Sequence, residues 1–492
     1  MRAVDPSTLP NPQAELTQWL REGAGGSEPC ERVIETSISW VFLFRDRALK
    51  LKKPIDLGFL DFTSLAKRHW AALREVAFNR ATAPSIYQGV RAITREDGSF
   101  AMDGAGVVAD WVVEMRRFAD KAVLSDNLGA IDGEFAESLG RRIAQFHLGA
   151  AVGSAGGGAA GLRFVLESNA RQLRALRIDG VEAVVAETKR ELGQVARLLD
   201  RRLANDFVRC CHGDLHLGNI LLENGEAVLF DCIEFSDAMR EIDVLYDLAF
   251  LLMDLDFRGL RPMANRVLNA WLDEAAHAFD GSAWKGLRAL PLFQSVRAAV
   301  RAHVTAREGD IGRARRYLRA AHGYLAEFRP VLVAVGGLSG SGKTTYARSV
   351  APALGGAPGA VILRSDEVRK RLWGRAPTQK LPQAAYTEEA TAAVYAEVFA
   401  IASRCLAAGR AVVIDAVFLE AAQRALAEQV AAKGGVVFEG VWLEAPLEIL
   451  KDRLARRSGD ASDADLAVLD HQLASDPGAI AWRRRPSPDL AR

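Results

Sequence analysis

The order of apolar and polar positions divides the chain into stretches of two-residue alternation and stretches of helical spacing. Ile38 to Phe44 and Ala48 to Lys52 predict two strands around a tight Arg45-Asp46-Arg47 turn. A helix is predicted from about Ser64 to Arg80. Strands follow over Gly89 to Ile93, Gly98 to Met102 and Val107 to Met115, with a turn at Glu96-Asp97-Gly98. Ahead of them lies a polar segment with one short helical pattern, Glu15 to Arg21, expected to be peripheral; residues 1–33 are therefore set apart. Helical patterns cover Gly133 to Leu148 and Leu173 to Leu203. Between them Gly149 to Gly161 is almost wholly Gly, Ala and Ser, and predicts a mobile loop, either a tolerated insertion or a lid near an acceptor. Ile220 to Leu222 and Ala227 to Phe230 flank Asn224-Gly225 and predict a hairpin with a type I′ turn. Arg240 to Leu252 reads as a buried helix start, with Asp243 and Asp247 read as structural, and helices continue to about Phe328. Beyond Arg329-Pro330, short strands (Val331 to Val335, Ala360 to Leu363, Ala411 to Ile414, Gly435 to Leu443) are separated by longer segments. The expected architecture is an α+β bilobal domain over 34–328, its small lobe ending near 115, and an α/β domain with a parallel sheet over 331–492.

Composition changes little in this picture. A chain of 492 residues is too long for one ordinary domain. The formal net charge of +1 supplies no global field that would select nucleic acid or a membrane. The N-terminus lacks the apolar core of a signal peptide, and no run of eighteen apolar residues occurs. The five cysteines form no C-x-x-C pair and are expected to be reduced thiols in a cytoplasmic protein.

The chemistry concentrates in two places. His212-Gly213-Asp214-Leu215-His216-Leu217-Gly218-Asn219 reads H-G-D-L-x-x-x-N, one residue from the catalytic-loop pattern H-R-D-L-x-x-x-N of protein kinases. Such a loop needs a carboxylate to accept the proton of an attacking hydroxyl and an amide oxygen to hold magnesium on the nucleotide phosphates. Asp214 and Asn219 suit those roles. The predicted hairpin returns the chain to Asp231, beside Asn219, where a second carboxylate can grip the ion. The following Cys232-Ile233 replaces the Phe-Gly of D-F-G. A kinase also needs a strand lysine held by a helix glutamate. Lys50 and Lys52 point to one strand face and Lys53 to the other. Lys50 with Glu75 is favoured, and Lys52 stays open. No G-x-G-x-x-G flap occurs, so any flap uses the Phe44 to Arg47 turn. Glu114 to Phe118 is the expected hinge between lobes.

These residues resemble the aminoglycoside-phosphotransferase type of kinase over about Ile34 to Phe328. The resemblance implies a protein-kinase-like fold, Asp214 as base, Asn219 and Asp231 as magnesium ligands and Lys50 as phosphate lysine. Lys50-Leu51-Lys52-Lys53-Pro54 and Gly58-Phe59-Leu60-Asp61-Phe62 resemble an uncharacterised bacterial branch fused to a P-loop module.

The second place is Gly337-Leu338-Ser339-Gly340-Ser341-Gly342-Lys343-Thr344, a full G-x-x-x-x-G-K-[ST], followed by Thr345. Its backbone would cradle phosphates, with Lys343 on the outer phosphates and Thr344 on magnesium. Asp366 ends a strand, where open α/β sheets place their sites, and Arg369 follows one helical turn later. An acid for the acceptor hydroxyl and an Arg for its phosphate is a coherent pairing. Asp415 ends another strand and is a candidate to hold magnesium through water. Arg453 to Arg457 reads as an arginine-bearing lid, followed by a polar loop. The tail from Arg483 is expected to be disordered. This part is similar to small P-loop kinases of the gluconate-kinase and polynucleotide-5′-kinase type. By that resemblance Asp366 is the base and Arg453 or Arg457 the lid residue.

The sequence therefore predicts an ATP- and Mg2+-dependent phosphotransferase acting on a hydroxyl of a small molecule, with a second nucleotide-binding module that phosphorylates another acceptor. The rivals are a nucleotide-switched regulatory protein and, for the P-loop module alone, a nucleic-acid end-processing enzyme.

Overall fold

The computed structural model describes residues 13–26, 28–58, 60–276, 278–279, 282–376, 379–456 and 461–488. The chain forms two compact units. One comprises Met1–Ala130, Ser154–Gly156 and Cys210–Ile242; the other comprises Ile131–Gly153, Gly157–Arg209 and Asp243–Arg492. The first therefore joins the small lobe to the loop bearing Asp214 and Asp231. The second joins a helical lobe to the P-loop module.

In the first unit, α1 (Ala14–Arg21) precedes β1 (Arg32–Glu35), β2 (Ser39–Leu43) and β3 (Arg47–Lys52). Then come α2 (Leu65–Asn79), β4 (Tyr87–Glu96), β5 (Ser99–Met102) and β6 (Val107–Arg116). The strands pair in the order β1-β2-β3-β6-β4-β5, antiparallel throughout. Ser64 starts α2 by accepting from the Lys67 N–H at 3.3 Å, a common N-cap arrangement. The buried Arg68–Asp110 pair, at 2.9 Å, ties α2 to β6. α1 is not peripheral. Its Leu16 and Leu20 are buried against Phe42, Leu49, Leu51 and Val112, because its two apolar positions fall on one helical face. The stretch preceding residue 34 thus supplies both a helix and a strand to the small lobe.

Two further expectations are corrected. Leu173 to Leu203 is not one helix. Helices Gly158–Ala175 and Val181–Ala204 are separated by a turn in which Gly180 takes φ +87°. Nor is the Gly/Ala/Ser stretch after Gly149 an open loop. Gly158 already begins a helix, and the Ser154 and Ala155 N–H groups donate to the Glu241 carboxylate at 2.9 and 3.0 Å. A Cβ on Gly156 would lie 1.9 Å from the Ala238 carbonyl oxygen, so the missing side chain serves close backbone approach.

The helical lobe of the second unit packs Ala170, Leu173, Phe250, Met253, Ala298 and Tyr317 in its core. Asp243 caps the helix Val244–Phe257 and pairs with Arg202 at 2.6 Å, while Asp247 meets His147 Nε2 at 3.1 Å. The P-loop module is a five-stranded parallel sheet in the order Val361–Arg364, Val412–Asp415, Val331–Gly336, Val437–Glu444, Arg483–Pro486. The last strand overturns the disordered tail. Its register, Val441 to Glu444 against Arg483 to Pro486, is held by backbone pairing, which needs no apolar pattern at a sheet edge. The helix Glu388–Ala407 is long and apolar enough to cross a membrane by composition, but Val394, Val398, Ile401 and Ala402 on one side of it are buried in the module.

Candidate active sites

In the first unit the loop is built so that three polar groups converge. Gly213, at φ +84°, stands where the kinase pattern has Arg, and a Cβ there would meet the Met239 carbonyl oxygen at 2.9 Å. Glycine is thus required by the turn that presents Asp214. His212 Nε2 lies 2.8 Å from the Phe230 carbonyl oxygen, and the Phe230 N–H donates to the Asn219 carbonyl at 3.1 Å. These contacts fasten the end of the hairpin Ile220–Glu223/Glu226–Leu229 to the loop before it. Asn219 Nδ2 donates to Asp214 Oδ2 at 2.9 Å and to the Asp214 carbonyl at 2.9 Å. That leaves the amide oxygen as the group chemically suited to a cation. Asp231 takes φ +59°, uncommon outside glycine, and its N–H donates to the Tyr87 hydroxyl at 3.1 Å. The side chains of Asp214 and Asp231 are 40% and 41% exposed, so both carboxylates are open to a ligand.

Behind them runs a chain of alternating charges. Lys50 Nζ lies 2.6 Å from Asp231 Oδ1 and 2.8 Å from Glu75 Oε1. Lys52 Nζ lies 2.7 Å from Glu75 Oε2 and also binds Glu234 Oε1. Lys50 and Lys52 are 8% and 1% exposed, so neither sits on a solvated strand edge. Burial opposes the charge on Lys50, but Asp231 and Glu75 more than offset it and hold its ammonium pKa well above the usual lysine range. For Glu75, burial works against the carboxylate, and Lys50 and Lys52 together draw its pKa down to about 2. For Glu234, burial outweighs Lys52 and its pKa is raised. Both lysines left open by the sequence thus meet Glu75, but only Lys50 also meets Asp231. Lys53 points away, to Glu35 at 2.6 Å. The Phe44 to Arg47 turn is tight, Phe44 N–H to Arg47 oxygen at 2.9 Å, and Arg117 donates to its carbonyls. Glu234 was not anticipated; nothing in its local pattern marks a partner 182 residues away.

In the P-loop module, the strand Val331–Gly336 leads into the glycine loop, and the helix Lys343–Val350 leaves it. Gly340 and Gly342 take φ +85°, and a Cβ on Gly340 would stand 2.9 Å from the Leu450 carbonyl oxygen. Lys343 Nζ donates to the Gly337 and Leu338 carbonyls, both at 2.9 Å, so its ammonium lies over the loop. Thr344 Oγ1 donates to Asp415 Oδ2 at 2.6 Å. Burial raises the Asp415 pKa, against the pull of Arg364 and Lys343. Ser339 is held by Gln472 through two hydrogen bonds, 2.9 and 3.0 Å. Asp366 lies in the first turn of the helix Ser365–Leu372, at the C-terminal end of its strand.

Two of the expected arginines make contacts within the module. Arg369 shares that helix, but its guanidinium donates to the Ala385 carbonyl at 2.5 Å and to Thr391 Oγ1 at 3.3 Å, under the Tyr386 ring, and so braces the following segment. Arg453 contacts the P-loop itself, donating to the Gly340 carbonyl at 3.0 Å and to Ser487 Oγ at 2.7 Å. Arg457 lies outside the described residues. Sequence reasoning also missed Arg364, which donates to Glu367 Oε1 at 2.8 Å and approaches Asp415 Oδ2 at 3.6 Å. Its proximity to Asp366 was the available signal.

Both sites offer hard oxygen donors beside a lysine, Asn219 and Asp231 with Lys50, Thr344 and Asp415 with Lys343. That donor set fits magnesium. Two such donor sets, one in each module, are of a chemistry suited to holding phosphate through a cation. Residues 106–290 match the Phosphotransferase enzyme family and residues 332–476 match an AAA domain family. The chain is 29% identical over 446 residues, 82% of each chain, to the uncharacterized protein Rv2004c of Mycobacterium tuberculosis. Among solved structures it is similar to an ethanolamine kinase of Plasmodium vivax, with 10% identity, 65% of this chain and 95% of that one covered, and a TM-score of 0.41. It is also similar to the Mycobacterium tuberculosis APS kinase CysC, with 27% identity, 26% and 70% covered, and a TM-score of 0.21.

Proposed function

We propose that the chain is an ATP-dependent phosphotransferase with two acceptors. The first site moves the γ-phosphoryl group of ATP to a hydroxyl of a small molecule. Asp214 orients that hydroxyl and accepts its proton, and Lys50, steadied by Glu75, binds the nucleotide phosphates. Asn219 and Asp231 would hold magnesium, which supplies charge neutralisation on the phosphates. In the second site the loop from Gly337 to Thr345 cradles ATP, Lys343 meets its outer phosphates, and Thr344 and Asp415 would hold the ion. Asp366 is the proposed base toward a second acceptor, and Arg453 holds the loop from behind. The observation that carries the reading is the convergence of Asp231, Lys50 and Glu75, from three separate elements, into one set of contacts of 2.6 and 2.8 Å.

The test is transfer of labelled phosphate from ATP into a metabolite extract by wild type, Asp214→Ala and Lys343→Ala. Each variant is expected to lose a different labelled product. Loss of only inorganic phosphate release in both would replace this reading with the regulatory switch. Label entering oligonucleotide ends would redirect the second site to nucleic acid.

A further inference from the structure

The helix Ile311–Tyr324 sets Arg316, Arg319, Ala320 and Gly323 on one stripe, the later three lying three, four and seven residues beyond the first. They line a cavity of about 430 Å³, within the range of small-ligand sites. Asp256 and Phe257, at the end of the helix Val244–Phe257, form another wall with Arg261 of the next helix. Phe328 and Ala357 complete it, Ala357 lying in the loop that leads to the P-loop strand Val361–Arg364. The Phe328 ring is 49% exposed and lies against Gly356, where a Cβ would come within 3.0 Å of it.

The charges in this cavity are unevenly matched. Both oxygens of Asp256 are taken. Oδ1 accepts from Arg261 Nε at 2.5 Å, and Oδ2 accepts from Arg261 Nη2 at 3.3 Å and from the Tyr324 hydroxyl at 3.0 Å. Asp256 and Arg261 therefore cancel. The Arg316 guanidinium lies 4.9 Å from the centre of the Phe257 ring, and among the described residues neither it nor Arg319 is ion-paired. Both are exposed. Three guanidinium groups against one carboxylate leave two positive charges to be answered, beside the Phe257 and Phe328 rings. A carboxylate ligand would answer one of them. A phosphate monoester carries close to two negative charges near neutral pH, and its oxygens suit the guanidinium fork.

We propose that this cavity is a binding site for a small phosphate monoester bearing a flat ring, its phosphate held by Arg316 and Arg319 and its ring against Phe328. The site shares no residue with either proposed catalytic centre, and it does not depend on the two-acceptor reading. Because Ala357 and Phe328 border it, the ligand touches the P-loop module as well as the helical lobe.

The experiment titrates phenyl phosphate, inorganic phosphate and benzoate calorimetrically into the full chain. The same titrations are made into a full chain carrying Asp231→Asn and Lys343→Ala, which silence the two proposed nucleotide sites. Phenyl phosphate is expected to bind both chains alike, and about 5-fold more tightly than inorganic phosphate, the gain of one stacked ring. Benzoate, the same ring with a single charge, is expected to bind about 10-fold more weakly than phenyl phosphate, and Arg316→Ala and Arg319→Ala are each expected to weaken phenyl phosphate about 10-fold. Phe328→Ala should weaken phenyl phosphate and leave inorganic phosphate unchanged. Gly323→Leu is the steric test. A Cβ there meets nothing within 4 Å, and a helix favours Leu over Gly, so binding should be blocked without a fall in Tm. Arg315→Ala, on the same helix but off the cavity wall, should change nothing. Binding lost in the Asp231→Asn, Lys343→Ala chain would assign the phosphate to the nucleotide sites and overturn the proposal. So would full binding in Gly323→Leu, a loss from Arg315→Ala equal to that from Arg319→Ala, or benzoate or inorganic phosphate binding as tightly as phenyl phosphate.

Discussion

At the scale of single residues, the first site depends on five charges in series: Asp231, Lys50, Glu75, Lys52 and Glu234. Sequence alternation placed Lys50 and Lys52 on one face but could not separate their roles, because both contacts are formed by residues distant in sequence. Their environments differ, since Lys50 meets Asp231 and Lys52 meets Glu234. Lys50→Met is expected to depress phosphoryl transfer far more than it lowers Tm, since Lys50 touches a half-exposed carboxylate at the open side. Lys52→Met strands Glu234 in the interior and leaves Glu75 with Lys50 alone. Breaking a buried pair in this way costs about 3–5 kcal/mol, so thermal unfolding should show the larger loss there. A wild-type Tm in Lys52→Met would refute this division. Glu75 adds a pH dependence whose sign follows from its depressed pKa. Its ordinary value is 4.5 and its folded value about 2, so its stabilisation is complete above about 4.5 and is lost as pH falls toward 2. Glu234, with its pKa raised, contributes in the opposite sense. Denaturation midpoints measured from pH 6 to 2 should therefore fall more gently in Glu75→Gln than in wild type across the lower part of that range.

Element by element, legibility followed the source of each stabilising interaction. The small-lobe strands and α2 were visible because their apolar faces repeat at the periods of strand and helix. The hairpin was visible because Asn224 and Gly225 both take positive φ, at +51° and +82°, as a type I′ turn requires. The glycine loop was visible because its chemistry is local. Elements held by backbone pairing or close approach left no such trace. Arg483–Pro486 is three arginines and a proline, yet it completes the parallel sheet. Gly156 looked like loop filler, yet its Cα sits against the Ala238 carbonyl. The strand matters beyond its own pairing. The Ser487 that follows it donates its N–H to the Glu444 carbonyl at 2.8 Å and its hydroxyl accepts from Arg453 behind the glycine loop. Removing residues 483–492 is thus expected to weaken nucleotide binding by the P-loop module as well as its Tm. A truncated chain that binds nucleotide with wild-type affinity would show that Arg453 needs no such support.

For the molecule as a whole, the two modules make a quantitative demand. Each carries its own lysine and its own oxygen donors, drawn from different stretches of chain, and on the proposed reading each binds its own nucleotide. Two nucleotide sites per chain are therefore expected in equilibrium binding. Asp231→Asn should remove one and Lys343→Ala the other. Ligand stabilisation gives a second measure of the same count. A nucleotide that binds only the folded state at 100 times its Kd adds about 2.7 kcal/mol per site. Each site should add its increment to the unit that contains it, the unit holding Lys50 and Asp231 in one case and the unit holding Lys343 in the other. Calorimetric unfolding of the two variants with saturating ATP analogue and magnesium should then show complementary losses, each variant retaining the shift that the other lacks. A stoichiometry of one in wild type, abolished by either substitution, would instead require residues of both modules to grip a single nucleotide, and two-acceptor transfer would have no second donor.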